Sequence, residues 1–110
     1  MISQEDAERA VDWLRANAKP MAVARAERLY MEQFVKTVKA TIQAEQAGMS
    51  VAASEMVALS SARYLETLQA YRDAISADET NRFMAVAAEA RIEAWRSQES
   101  TRRAEGKAYS

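Results

Sequence analysis

Glu89 and Glu93 stand four residues apart, so on a helix both carboxylates face the same side. That spacing could bridge two metal ions, or supply an acid and a base. Di-iron helical bundles pair such glutamates with Glu-x-x-His, and this chain has no His. A glycosidase-like carboxylate pair needs a cleft, which nothing in the sequence foretells. Solvated glutamate pairs on helix surfaces share the same spacing, and that plainer reading outweighs the metal one. The chain has no Cys, which removes thiolate nucleophiles, zinc–sulfur sites and disulfides. Gly48 and Gly106 are isolated, so no glycine-rich loop cradles phosphate. The expectation is a non-enzymatic protein with no cofactor and no metal.

A second chemistry lies near the C-terminus. Arg91, Arg96, Arg102, Arg103 and Lys107 alternate with Trp95 and Tyr109. Cations interleaved with aromatic rings can hold a nucleic-acid backbone and stack its bases. Glu93, Glu99 and Glu105 interrupt them, however, and a solvated helix end is the plainer account. Residues 15–39 carry a net +4 and are a better nucleic-acid candidate, provided acids elsewhere do not neutralise them. Trp13 and Trp95 mark a partner surface if exposed. If they stack on each other, they simply lock the end where they meet. Together with Arg91, Arg96, Arg102 and Arg103 they are the candidate partner-binding residues.

The elements that position these residues are helices. In 110 residues Gly occurs twice and Pro once, where average usage gives about 8 and about 5. Ser3 with Asp6 makes a capping-box start, and Ala7, Ala10, Val11, Leu14 and Ala18 then recur at helical spacing. Pro20 lacks an N–H and crowds the carbonyl of Ala16, which predicts a break or sharp kink at residues 17–20. A second helix carries the apolar stripe Tyr30, Met31, Phe34, Val35, Val38 and Ile42, read as core, and should end in a left-handed cap at Gly48. Ser50 or Ser54 can cap a short connecting helix, and Ser60 or Ser61 the last long one. On that helix Leu65, Leu68, Tyr71 or Arg72, and Ile75 form one seam. Phe83, Val86, Ala87, Ala90 and Ala94 form the next, beyond a polar stretch at 76–82 through which the helix is expected to continue. The expected helices are about 4–18, 20–47, 51–59 and 61–104, with fraying after Gly106, in one all-α domain over 1–110.

Charge supplies the topology. Successive blocks 1–14, 15–39, 40–90 and 91–110 carry −3, +4, −4 and +2. A turn between Ala47 and Ser61 lays opposite signs together and pairs residues whose numbers sum to about 108, since both arms rise equally per residue. That places Trp13 opposite Trp95. The architecture predicted is a long antiparallel helical hairpin with a short helix at its tip. One narrow stripe is little core for 110 residues. Either breaks near Pro20 and Ser76 fold the chain into a four-helix bundle, or hairpins share a core as a homo-dimer or higher homo-oligomer. The second is the reading favoured. The acidic, polar start and the absence of a long apolar run predict a cytoplasmic protein without membrane segments.

Ala7-Glu-Arg-Ala-Val-Asp-Trp-Leu14 and Ala87-Ala-Glu-Ala-Arg-Ile-Glu-Ala-Trp95-Arg-Ser-Gln98 resemble segments of small helical proteins encoded in bacteriophage and prophage genomes. The resemblance implies a phage setting, with a role in phage DNA metabolism or interference with host machinery, and transfers no functional residue. Secreted hairpins of the WXG type have similar length, but Gln46 stands where their turn has Trp. Two functions follow: a helical module that binds a protein partner through its helix faces, or alternatively a nucleic-acid-binding accessory protein.

Overall fold

The computed structural model describes residues 1–108, so Tyr109 lies outside the described residues. Within them the chain is all-α: α1 (Gln4–Ala44), α2 (Val51–Ser60) and α3 (Ala62–Ala108). Helix α1 packs against α3 as an antiparallel hairpin, with α2 between them at the tip, as the spacing of breakers and charges predicts.

The helix starts are written in local chemistry. The Ser3 hydroxyl accepts from the N–H of Asp6 (3.0 Å), and the N–H of Ser3 donates to the Asp6 carboxylate (3.2 Å), which is the reciprocal box expected. The Ser50 hydroxyl accepts from the N–H of Ala53 and starts α2. Ser61 does two tasks: its extended backbone ends α2, and its hydroxyl accepts from the N–H of Tyr64 to start α3.

Three boundaries differ from expectation. Helix α1 runs unbroken through Pro20. The lost hydrogen bond and the steric clash cost about 3 kcal/mol, but long stretches of good helix formers continue on both sides, and Ala16 and Pro20 are both exposed, so water can reach the freed carbonyl. At its other end α1 stops at Ala44 rather than Ala47. The chain tightens to i→i+3 bonds, and the Gln46 side chain reaches back to the carbonyl of Ile42. Gly48 does adopt a positive φ of 82°, but as the third residue of a turn closed by Met49 N–H on the Gln46 carbonyl, not as the helix cap. Helix α3 is continuous across 76–82 as expected, and passes through Gly106 to Ala108 because Gly in a helix costs only about 1 kcal/mol.

The chain divides into two packed units, residues 22–79 and residues 1–21 with 80 onward. The divisions fall beside Pro20 and inside the polar stretch 76–82, the two places where the sequence marks a break, yet both helices run through them.

In the unit 22–79, α1 buries Met31, Val35, Val38 and Ile42, spaced alternately by four and three residues. Val38 and Ile42 meet the fully buried Ala58 of α2, with Val57 and Tyr64 against them. Helix α3 presents Tyr64, Thr67, Tyr71, Ala74 and Asp78 at the same spacing. The buried Thr67 hydroxyl is satisfied by the carbonyl of Arg63 at 2.8 Å. Leu65, expected in this seam, is 52% exposed. Tyr30 and Phe34, expected in the core, are also exposed, and their rings stack on each other at 5.7 Å. Ion pairs tie the unit together: Arg28 to Asp78 and Glu79, Lys39 to Glu55, and Arg63 to Glu45.

In the other unit α1 buries Ala7 and Ala10, and α3 buries Ala88 flanked by half-buried Ala85, Ile92 and Trp95. The seam expected at Phe83, Val86, Ala87, Ala90 and Ala94 instead faces outward. Both corrections on α3 have one cause: the long helix carries apolar residues on several sides, so their spacing alone defines no unique buried side, and the packing of α1 against it selects one.

Candidate interaction surfaces

The candidate partner-binding residues all lie in the unit formed by residues 1–21 and 80 onward. Trp13 and Trp95 are each half-buried, and they do not meet. Trp95 sits in the α3 seam and lines an open cleft of about 300 Å³ with Ala7, Val11, Arg15 and Arg96. Trp13 stands one residue before the seam position Leu14, so its ring turns to the flank, into a second cleft with Arg9, Met84, Ala87 and Arg91. Neither the stacked lock nor the opposition of the two indoles is present.

The end of this unit is closed by a different pair. The N–H of Ile2 donates to Oε1 of Gln98 (3.0 Å), and Nε2 of Gln98 donates to the carbonyl of Ile2 (2.7 Å). The residues before Gln4 leave the helix and fold back, so residue 2 meets 98 and not the residue near 106 that equal rise would give. The capping box is what makes the chain leave the helix there. An amide side chain offering both a donor and an acceptor is the signal that the sequence carried for this clamp.

The basic candidates separate by their partners. Arg96 pairs with Glu93 at 2.8 Å and Arg102 with Glu99 at 3.2 Å, each within one turn of α3. Arg91 and Arg103 are exposed, and Arg91 shares the Trp13 cleft. Of the basic residues in 15–39, Arg28 is held by carboxylates of α3 and Lys39 by Glu55 of α2, so the proviso attached to that block is not met at these two. Their partners raise the pKa of each: the Glu79 and then the Asp78 hydrogen bonds for Arg28, and the Glu55 hydrogen bond for Lys39. Among the described residues no group of three or more His, Cys, Asp or Glu side chains is placed to hold a metal ion, and Glu89 and Glu93 are exposed. No described helix is long and apolar enough to cross a membrane.

The Asp6 carboxyl is held below its ordinary value of 3.8, first by the backbone N–H of Ser3 and then by the Ser3 hydroxyl. A depressed carboxylate stabilises the fold fully above its unfolded pKa, and that contribution is lost as pH falls through the lower folded value. Asp6→Asn should therefore be less stable than wild type at neutral pH, with the difference shrinking as pH falls below the ordinary carboxyl value of 3.8. Urea midpoints above and below that value test this, and a constant difference would contradict it.

The surface that sequence reading did not single out lies in the unit 22–79. Met49, Val51, Met56 and Leu59 of the tip are exposed, Val51 at 79% and Met56 at 73%. Glu55 is the only charged residue of α2, and Lys39 already takes it. These residues are legible in the sequence as apolar, but the ten-residue α2 buries only Ser54 and Ala58.

No family model, curated protein or solved structure matches this chain.

Proposed function

We propose that the chain is a non-enzymatic protein-interaction module of phage or prophage origin, working in the cytoplasm as a coiled-coil-like homo-oligomer and binding a protein partner through its helix faces. The observation that carries the reading is the tip. Large apolar side chains there stand in water on an ordered helix whose one charge is already paired. Water-exposed Val and Met on adjacent turns gain free energy only when something covers them, at about 25 cal/mol per Å². The phage origin rests on the resemblance of residues 7–14 and 87–98.

Immobilised wild-type protein should retain a partner from cell extract, and Val51→Asp/Met56→Asp should retain it at least about ten-fold less, the ratio expected for removing apolar anchors worth more than about 1.4 kcal/mol. Equal retention by both would sink the tip as the binding surface.

The alternative reading, a nucleic-acid-binding accessory protein in phage DNA metabolism, draws on the two clefts where Trp13 lies beside Arg9 and Arg91, and Trp95 beside Arg15 and Arg96. It requires an affinity for DNA or RNA that falls steeply with salt, with a log–log slope near −0.9 per phosphate neutralised on a duplex. Absence of binding at low salt eliminates it.

A further inference from the structure

The outward side of α1 in the unit 22–79 has the wrong chemistry for a face left in water. Val23, Glu27, Tyr30, Phe34, Thr37 and Thr41 are all exposed and follow one another at spacings of four and three. That is the spacing of the buried set Met31, Val35, Val38 and Ile42, rotated around the helix. Ala22, Ala26, Leu29, Gln33 and Ala40 border it, so that Glu27 and Lys36 are the only charges on this side. A helix face turned to solvent normally carries its charges there. Here Arg25, Glu32 and Lys39 lie on the opposite edge of the helix.

Two observations say what covers this seam. First, the seam is its own complement when run antiparallel. A two-fold axis at the level of residue 32 sets Tyr30 against Phe34, Val23 against Thr41, and Glu27 against Thr37, with no like charges opposed. Second, the polar atoms of the seam's threonines are already satisfied. The Thr37 hydroxyl donates to the carbonyl of Gln33 (3.3 Å) and that of Thr41 to the carbonyl of Thr37 (2.8 Å), so their methyl groups can be buried without orphaning a hydroxyl.

We infer that a second copy of this chain covers the seam, α1 against α1 in antiparallel register, with the stacked Tyr30 and Phe34 rings at its centre. The inference rests on the reading of the chain as a self-associating interaction module, and names the face and register that reading leaves open.

Light scattering of the wild-type chain over a range of concentrations should give a dimer mass, and a monomer throughout overturns both the seam and the self-association. Tyr30→Glu/Phe34→Glu should halve the mass while circular dichroism remains helical. A helical variant that stays dimeric overturns the seam alone and leaves self-association standing. Should that variant unfold, cysteine pairing decides, free of background because the chain has no Cys. Val23→Cys mixed with Thr41→Cys and oxidised should give a mixed disulfide, and neither variant alone should cross-link. Cross-linking of each variant with itself, or none in the mixture, overturns the antiparallel register.

Discussion

Ile42→Ala is expected to cost about 2–4 kcal/mol, as for a buried branched side chain truncated where the surroundings cannot collapse. Ile42 is 4% exposed and packs with Val38 against Ala58, which has no exposure at all, with Val57 and Tyr64 closing the group. This small cluster is where all three helices meet, so its loss removes the apolar contact that seats α2 on the hairpin. Ser54 is the other buried residue of α2, and its hydroxyl is spent on the carbonyl of Val51 within its own helix. The Lys39–Glu55 pair remains, but half-exposed ion pairs contribute only about 0.2–1 kcal/mol. Denaturant unfolding of Ile42→Ala beside Leu65→Ala checks the argument. Leu65 is as apolar by sequence yet 52% exposed, and its truncation should change stability by no more than about 0.5 kcal/mol. Equal losses at the two positions would mean that the buried seam of α3 has been assigned to the wrong side.

The second large effect is at Arg28. It occupies a position in the α1 seam where Met31 and Val35 follow, and its guanidinium reaches Asp78 (3.2 Å) and Glu79 (2.9 Å) on α3. The side chains keep 32%, 18% and 34% of their exposure, which places the cluster between a surface pair and a buried one. Arg28→Ala removes the cation that α1 sets against Asp78 and Glu79, and should lower the denaturation midpoint more than removal of the exposed Arg9–Glu5 pair does. Salt shortens the reach of the attraction that is lost, so the cost should shrink in about 1 M NaCl. Arg28→Leu combined with Asp78→Leu should recover most of the loss, because well-packed apolar residues replace an ion pair at little or no penalty. If the double variant is less stable than Arg28→Ala alone, the pair is supplying attraction beyond its desolvation cost. Chemical denaturation of the wild type and the two variants at two salt concentrations separates these outcomes.

Both effects show how little core the hairpin has. The buried apolar residues of the described chain are mostly Ala and Val, and none of the large side chains is fully enclosed. Phe83, Val86 and Leu65 stay in water along with Tyr30 and Val23. This is the physical basis for reading the molecule as a binder: its apolar inventory exceeds what two helices can cover between themselves.

Much of this was written in local sequence. The rarity of Gly and Pro made the chain helical. Ser3 with Asp6, Ser50 and Ser61 set the helix starts through their hydroxyls, and Gly48 took the positive φ that the tip required. Alternating charge blocks foretold which half faces which, and Arg28 with Asp78 and Glu79 realises them. All of these act over a few residues or through the sign of a long block, so they survive without knowledge of the fold. The tertiary structure decided the rest. It held α1 together through Pro20, because continuation of the helix on both sides outweighs one lost bond. It turned Trp13 and Trp95 into different clefts and left Gln98 to clamp Ile2. It also chose the buried side of α3, taking Thr67, Ala74 and Ala88 inward and leaving Leu65 and Phe83 out. Periodicity reports that a helix is amphipathic, but a helix with apolar residues on several sides has no unique phase. The phase is settled only when a second helix approaches and its side chains interdigitate with those of one side.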